Sequence, residues 1–242
     1  MAQLKLLDGF TVVFDLDGTL VDTAPDLIGA LNQTLTNNGL NSVPDIAVSD
    51  LIGSGARAMI TAGLSHQNVH LPAGRIDILF EEFLEIYIEN IAVQSRPYEG
   101  CEAALSRLTG AGATLAVCTN KKQNLADELL EALDMARWFK SVVGADSVPN
   151  RKPDPGHLLS AISDAGGDRR RAVMVGDSVT DERAAHSAEL PFILCPFGYG
   201  PNEVEPLGQR VGLNTYADFS AESVLAIASS YAATASRDAS DE

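Results

Sequence analysis

Apolar residues gather in short, nearly continuous runs that are separated by longer amphipathic stretches. Such runs are typical of strands covered on both faces, because a strand with one exposed face alternates apolar and polar positions. Four runs predict strands, at Thr11–Asp15, Ala113–Thr119, Ala172–Gly176 and Pro191–Cys195, with a weaker fifth at Lys140–Gly144. Helical patterns separate them, at Glu99–Leu108, Gln123–Leu133, Pro155–Asp164 and Asp181–Ala188. This alternation predicts a doubly wound parallel sheet that binds ligands at the carboxyl ends of its strands.

One long interruption separates the first two predicted strands. It begins with a helix start, Thr23-Ala24-Pro25-Asp26, followed by leucines at four-residue spacing, and a second helical pattern runs from Ile76 to Tyr87. About 75 residues is far longer than an ordinary loop. The sequence therefore predicts an α/β protein with a Rossmann-like core of residues 1–21 and 97–242 and an inserted helical cap of residues 22–96. We expect hinges near residues 21–24 and 95–98.

Composition narrows the possible partners. The chain has 17 Lys and Arg against 33 Asp and Glu, a net charge of −16, which disfavours nucleic acid and anionic membrane surfaces as partners. An anionic substrate must therefore be attracted by a local basic cluster, to which Lys121, Lys122 and Arg151 could contribute unless they are ordinary exposed charges. No apolar run approaches the ~20 residues of a membrane helix. Three widely spaced cysteines indicate a reducing compartment, and we expect a cytoplasmic protein.

The segment Asp15-Leu16-Asp17-Gly18-Thr19-Leu20 directly follows an apolar strand and has three possible meanings. A calcium loop needs glycine at its sixth position and a bidentate acid at its twelfth, whereas these positions hold Leu20 and Asp26. The second meaning is an ordinary solvated turn. The third is a nucleophilic carboxylate with an acid/base partner, both placed at the end of a strand.

Three further segments favour the third meaning, because each falls where an active-site residue of an α/β sheet would lie. They are Thr119-Asn120, Arg151-Lys152-Pro153-Asp154-Pro155 and Gly176-Asp177-Ser178-Val179-Thr180-Asp181. Each alone could be a helix cap or a set of surface charges. It is improbable that all four segments would reach the same edge of the sheet by chance.

Together these four segments resemble the four motifs of the haloacid dehalogenase-like superfamily, over nearly the whole chain. The opening DLDGTLVDTAPDL, the TNK, the RKPDP and the GDSVTD most resemble phosphoglycolate phosphatases and their near relatives. The resemblance implies that Asp15 is the nucleophile and Asp17 the general acid/base. It also implies an Mg²⁺ ion held by the side chains of Asp15 and Asp177 and by the backbone carbonyl of Asp17. The absence of a Cys/His cluster argues against zinc.

The same resemblance assigns the remaining motif residues. Thr119 would donate its hydroxyl and Asn120 its backbone N–H to the phosphoryl oxygens. Lys152 would neutralise the transferring group and hold Asp15 in place. We expect three further residues to lie around the metal ligands and hold them in place, namely Thr19, Ser178 and Asp181. Thr19 also follows the phosphatase pattern, whereas many sugar phosphomutases carry valine at that position.

Substrate choice is expected to come from the cap, and Leu51–Arg57 is the candidate segment. Two glycines within a helix would cost ~2 kcal/mol relative to alanine, so Gly53 and Gly55 predict a loop or a helix start. We predict that these glycines and Arg57 bind substrate, with Arg57 pairing with a carboxylate; the alternative is an interhelix turn with a surface arginine. Gly198-Tyr199-Gly200 predicts a loop at the rim of the site, with no role assigned. The four histidines show no metal-ligand spacing, and surface or core placement is expected for each.

The leading hypothesis is a magnesium-dependent phosphatase that hydrolyses a small phosphate monoester, best 2-phosphoglycolate, through an aspartyl phosphate. Its partner would be a small phosphorylated metabolite, and the enzyme a monomer or homodimer. Alternatives within the superfamily are a phosphatase for sugar phosphates, nucleotides or pyrophosphate, or a mutase similar to β-phosphoglucomutase. An alternative from another class is a phosphoacceptor switch similar to a receiver domain, although receivers are about half this length and lack a cap.

Overall fold

The computed structural model describes residues 5–200, 206–208 and 210–238. Their core is a parallel sheet of six strands in the order β5-β4-β1-β6-β7-β8. These strands are β1 (Thr11–Phe14), β4 (Thr114–Cys118), β5 (Ser141–Val143), β6 (Ala172–Gly176), β7 (Phe192–Leu194) and β8 (Arg210–Gly212). A separate antiparallel ribbon pairs β2 (Val21–Asp22) with β3 (Arg96–Pro97). The predicted α/β fold class is confirmed.

The described part of the chain contains eight α-helices. They are α1 (Ala24–Asn37), α2 (Ala56–His66), α3 (Ala73–Glu89), α4 (Cys101–Gly110), α5 (Gln123–Ala132), α6 (Pro155–Asp164), α7 (Val179–Ser187) and α8 (Ala221–Asp238). Of these, α4 to α8 pack against the six-stranded sheet. Within that same part, no helix is both long enough and apolar enough to cross a bilayer.

Strand β1 lies at the centre of the sheet because all four of its residues are apolar or β-branched and are buried. Its last residue, Phe14, pairs in register with Val117 of β4 and Val175 of β6. The strands therefore end at the same level. The polar residues that follow them are brought to one edge of the sheet, as the sequence predicts.

Helices α1, α2 and α3 form a helical insertion between β2 and β3, and α1 packs against α3. Because Val21 pairs with Pro97 and Asp22 with Arg96, the chain leaves and re-enters the core at the same place. Both predicted hinges fall on this ribbon. The proposed division into two domains at these points stays a prediction.

Thr23 precedes α1, and the helix-start pattern predicts that its side chain caps the helix. In the structure this side chain makes no capping hydrogen bond. Its hydroxyl donates instead to Asp17 Oδ1 over 2.7 Å. The hydroxyl is thus the donor in a tertiary bond instead of the acceptor of a helix N–H, and a helix-start pattern cannot reveal this. Asp26 fixes the return of the insertion, since its carboxylate accepts bonds from Gln94 N–H, Ser95 N–H and the Ser95 hydroxyl.

Candidate active site

A buried lysine joins two aspartates at the centre of the sheet edge. Lys152 Nζ lies 2.9 Å from Asp15 Oδ1 and 2.6 Å from Asp181 Oδ1, and only 2% of this lysine is exposed. The Leu16 N–H also donates to Asp15 Oδ1, over 2.7 Å. Residues from three distant chain regions, Asp15, Lys152 and Asp181, therefore meet at one ammonium.

Asp177 follows β6 and completes a group of three buried acids. Its Oδ1 accepts a bond from the Thr19 hydroxyl over 2.8 Å, and its Oδ2 accepts one from the Tyr199 N–H over 2.8 Å. Carboxylate oxygens of Asp15, Asp177 and Asp181 all lie within 4.8 Å of one another. The arrangement could hold a metal ion, and its oxygen donors suit a hard cation.

The electrostatics of this acidic cluster also fit a cation. Burial raises the pKa of Asp15, and the Asp181 and Asp177 charges raise it further, while Lys152 opposes the shift. Burial and the Asp181 charge likewise raise the pKa of Asp177. One ammonium therefore does not balance three buried carboxylates, and a divalent cation would relieve the remaining repulsion.

Asp17 is held outside the acidic cluster. Its Oδ1 accepts bonds from the Thr23 hydroxyl, over 2.7 Å, and from Lys121 Nζ, over 2.8 Å. The chain turns directly after Asp17 at Gly18, whose φ of +81° is the left-handed conformation that glycine adopts at no steric cost. The two carboxylates of the opening motif therefore have different partners and could perform different tasks.

Lys121 corrects an expectation, because it is not an ordinary exposed charge. Only 9% of the residue is exposed, and its ammonium pairs with Asp17. Lys121 follows β4 by three positions, so the strand end carries it into the same site. The adjacent Lys122 is half-buried.

Thr119 and Asn120 follow β4 and face the site. Thr119 is buried, and its hydroxyl accepts a bond from the Lys121 N–H over 3.2 Å. The Asn120 side chain donates to the backbone carbonyl of Lys152 over 3.1 Å and so connects two motifs. Asn120 thus adjoins the lysine that contacts Asp15, and Thr119 lines the same cavity as Asp15.

Hydrogen bonds from neighbouring residues hold Lys152 and Asp181 in position. Ser178 and Asp181 form a reciprocal capping box at the start of α7, in which each side chain accepts the backbone N–H of the other residue. The Ser178 hydroxyl also donates to Asp181 Oδ2 over 2.6 Å. His157 Nδ1 accepts the Lys152 N–H over 3.1 Å, while its Nε2 donates to the Val143 carbonyl over 3.0 Å. The sequence predicts for His157 only a surface or core position; it is fully buried and tethers the lysine loop.

The profile of the haloacid dehalogenase-like hydrolases matches residues 12–195. A phosphoglycolate phosphatase of Caulobacter vibrioides is 44% identical over 218 residues, which cover 90% of this chain and 92% of that protein. An N-acetylmuramic acid 6-phosphate phosphatase of Pseudomonas aeruginosa is 36% identical, over 81% of this chain and 85% of its own length. This chain belongs to the haloacid dehalogenase-like hydrolase family.

A solved structure supports the assignment. The crystal structure of a protein from Haemophilus somnus 129pt, described as a predicted phosphoglycolate phosphatase, has a TM-score of 0.79 to this hydrolase and 28% sequence identity. The match covers 88% of this chain and 96% of that one. The predicted resemblance to phosphoglycolate phosphatases, and the prediction of a phosphoric monoester hydrolase, are confirmed by these comparisons.

A cavity of about 330 Å³ lies between the helical insertion and the sheet of this hydrolase. Asp15, Asp17 and Thr119 line its inner end. Apolar and basic side chains make up much of the remaining lining. The apolar lining comprises Leu27, Ile52, Met59, Phe80, Phe83, Leu84 and Leu125.

The predicted substrate segment of the insertion also lines this cavity, through Gly53, Gly55 and Arg57. Gly55 has a φ of +95° and immediately precedes α2, as expected for a helix start. Arg57 is half-exposed, pairs with Asp77 over 2.5 Å and lies over the Phe80 ring. The structure thus brings Arg57 to the cavity but not into contact with the acids and lysines at its inner end.

Tyr199 joins the core of the hydrolase to the insertion. Its hydroxyl donates to Asp22 Oδ1 over 2.6 Å and accepts bonds from the N–H groups of Thr23 and Ala24. Its own N–H binds Asp177. The sequence predicts that Gly198-Tyr199-Gly200 forms a loop at the rim of the site, but it assigns no role to Tyr199. The only available signal was the pair of flanking glycines, Gly198 and Gly200.

Proposed function

We propose that this hydrolase is a magnesium-dependent phosphatase that acts on a small phosphate monoester, with 2-phosphoglycolate as the first candidate. The contact of 2.9 Å between Lys152 Nζ and Asp15 Oδ1, beside a cluster of three acids at the end of a cavity, carries this proposal. Buried groups of this kind are the expected components of phosphoryl transfer, where positioning and charge stabilisation dominate.

In the first step, Asp15 attacks phosphorus through its carboxylate and forms an acyl phosphate. The ester P–O bond breaks, and Asp17 gives its proton to the leaving alkoxide. Lys152, Thr119 and the Asn120 N–H stabilise charge on the phosphoryl oxygens. A bound Mg²⁺, held by Asp15, Asp177 and the Asp17 carbonyl, would supply further charge neutralisation.

In the second step, Asp17 takes a proton from water, which attacks the acyl phosphate. Inorganic phosphate leaves, and the Asp15 carboxylate is restored. Thr23 and Lys121 hold the Asp17 carboxylate through these steps, since both donate to its Oδ1. Thr19, Ser178 and Asp181 keep the acids and Lys152 in place.

The relatives favour a substrate that is itself a carboxylic acid. Phosphoglycolate and N-acetylmuramic acid 6-phosphate, which name two of them, share a carboxyl group in addition to the phosphate ester. The cavity provides basic residues in a chain of net charge −16, namely Arg57, Lys121, Lys122 and Arg151. Local cations would attract a dianionic or trianionic ligand that the rest of the surface repels.

The helical insertion would act as the cap of this phosphatase. Residues 22–96 would form a cap domain over a core of residues 1–21 and 97–242, and Gly53, Gly55 and Arg57 would face the substrate. The β2–β3 ribbon is the natural hinge, because both crossings of the chain lie there. The buried, unpaired thiols of Cys101, Cys118 and Cys195 support a cytoplasmic location.

Turnover of p-nitrophenyl phosphate and of 2-phosphoglycolate, with Mg²⁺ and with a chelator, tests the proposal. We expect chelation to abolish both activities and Asp15→Asn to lower kcat at least about 10⁴-fold, as for loss of a nucleophile. The asparagine can still accept the Leu16 N–H, so circular dichroism should show a folded variant. Activity that survives either change would refute the mechanism, and organic phosphate in the product by phosphorus NMR would indicate a mutase.

A further inference from the structure

The inner cavity wall carries a polar group that the catalytic steps do not use. Tyr87 of α3 is fully buried and lines the cavity. Among the described residues, none makes a hydrogen bond of acceptable geometry with its hydroxyl, and the Lys121 ammonium is close enough to act on it electrostatically. A buried hydroxyl without a partner costs free energy, so this group indicates a ligand that provides one.

Lys121 lies beside this hydroxyl-bearing side chain. Its Nζ is 4.7 Å from the centroid of the Tyr87 ring and 2.8 Å from Asp17 Oδ1. An ammonium has three N–H donors, and the bond to Asp17 uses one of them. Even if the nearby Tyr87 hydroxyl engages a second donor, at least one remains available to an anion in the cavity. A cation from the core and a hydroxyl from the insertion thus lie on the same part of the wall.

The position of this pair fits a group close to the scissile bond. Asp17 would protonate the leaving oxygen, so that oxygen must lie within a hydrogen bond of the Asp17 carboxylate. Lys121 Nζ is also one hydrogen bond from Asp17. In a phosphorylated 2-hydroxy acid the carboxylate oxygens lie roughly 3–4 Å from the ester oxygen, within reach of the ammonium.

We propose that Lys121 and Tyr87 form a subsite for the carboxylate of the leaving group. The inference rests on the phosphatase function proposed above and names the residues that select its substrate class, phosphate esters of small hydroxy acids. Lys121 would give a charge-assisted bond and Tyr87 a second hydrogen bond. Arg57 is the rival candidate, but it is half-exposed, already pairs with Asp77 and lies outside the inner end.

The test compares 2-phosphoglycolate with 2-hydroxyethyl phosphate, in which an uncharged CH₂OH group replaces the carboxylate. Lys121→Met should lower the ratio of the two kcat/KM values by about 10–100-fold, and Tyr87→Phe by about 3–10-fold. The ratio isolates recognition, because any disturbance of Asp17 affects both substrates. Lys140→Met, which is equal in charge change but exposed and outside the cavity lining, should alter the ratio by less than about 3-fold.

Unchanged ratios in both Lys121→Met and Tyr87→Phe, or a ratio that falls only in Arg57→Met, would overturn the subsite. Binding provides a second readout that does not depend on turnover. In the Asp15→Asn background with Mg²⁺, calorimetry should show tighter binding of 2-phosphoglycolate than of 2-hydroxyethyl phosphate, and Tyr87→Phe should reduce that difference. If the wild type hydrolyses no phosphate ester, the proposed function fails, and this binding difference still decides the subsite.

Discussion

The hydroxyl of Tyr199 donates to Asp22 Oδ1 over 2.6 Å, across 177 positions of the chain. The Tyr199 hydroxyl oxygen also accepts hydrogen bonds from the N–H groups of Thr23 and Ala24, at the start of α1. The Tyr199 N–H donates to Asp177, a member of the acidic cluster. One residue therefore binds a candidate metal ligand through its backbone and the start of the insertion through its side chain.

Tyr199→Phe separates these two connections, since it removes the hydroxyl and keeps the backbone bond to Asp177. The Thr23 N–H loses its acceptor and the Ala24 N–H keeps only its bond of 3.3 Å to Asp22 Oδ1, so we expect a loss of roughly 1–3 kcal/mol in the free energy of unfolding. Cap closure should also weaken, and KM should rise, while Mg²⁺ affinity stays within about 2-fold. Urea denaturation and magnesium titration measure these effects, and Tyr231→Phe on α8 is the matched control. Weakened Mg²⁺ binding with unchanged stability would contradict this division of roles.

Gly198 allows the loop to pass close to the acidic cluster. A Cβ atom there would collide with the Asp177 side chain and the Gly18 carbonyl. We expect Gly198→Ala to displace Asp177 and weaken Mg²⁺ binding by at least about 10-fold, with a matching loss of activity at low Mg²⁺. Gly29→Ala is the control, because a Cβ on that exposed glycine of α1 meets nothing within 4 Å. It should stabilise the protein by about 0.5–1 kcal/mol, and equal effects of the two changes would refute the steric argument.

Strand ends are the part of the site that the sequence predicts well. Asp15, Thr119 and Asp177 each follow a continuous apolar run, and parallel pairing brings the ends of such runs to one edge whatever the details of the loops. Lys152 follows an irregular loop, and its predicted contact with Asp15 is present in the structure. The resemblance to a family, more than periodicity, made that contact predictable.

Other features depend on tertiary contacts that leave little local signal. Lys121 resembles any surface lysine until the fold buries it against Asp17. Strand β8 is short and partly exposed, so it lacks the apolar run that predicts a buried strand. Helix α8 was not predicted either, and its many small residues give a weak pattern. The Tyr199 hydroxyl reaches the start of α1 from a distant loop.

Magnesium binding should be coupled to proton release. Burial and mutual repulsion raise the pKa values of Asp15 and Asp177, so the metal-free site retains protons at slightly acidic pH. A metal ligand must be deprotonated, and Mg²⁺ affinity should therefore rise with pH, by up to about 10-fold per unit for each proton released. Calorimetry in buffers of different ionisation enthalpy measures that number.

A carboxylate outside the cluster provides the control for this coupling. Asp146 also lines the cavity, but its Oδ1 accepts the Gln123 N–H. Asp146→Asn should leave the proton release unchanged, whereas Asp15→Asn should reduce it. An Mg²⁺ affinity that does not vary between pH 5.5 and 8 would show that the cluster is already ionised without metal.

His157 should make stability depend on pH in the opposite direction from the buried acids. Burial and the nearby Lys152 ammonium lower its pKa, so the folded protein keeps the ring neutral, with Nδ1 accepting and Nε2 donating. The unfolded chain takes up a proton near pH 6.5. The stability that the neutral ring contributes is therefore present above that pH and declines as pH falls through it.

His157→Gln should reduce the free energy of unfolding by about 1–2 kcal/mol at pH 7.5, because an amide cannot reproduce both ring hydrogen bonds. The difference from the wild type should shrink between pH 7.5 and 5.5, as the wild type loses stability that the variant never had. The acids of the site are present in both proteins, so their contributions to the pH dependence of the free energy of unfolding cancel in this comparison. His66→Gln changes an exposed position, and its free energy of unfolding should differ from that of the wild type by the same amount at every pH. A constant gap between His157→Gln and the wild type would mean that the folded protein accommodates a protonated His157.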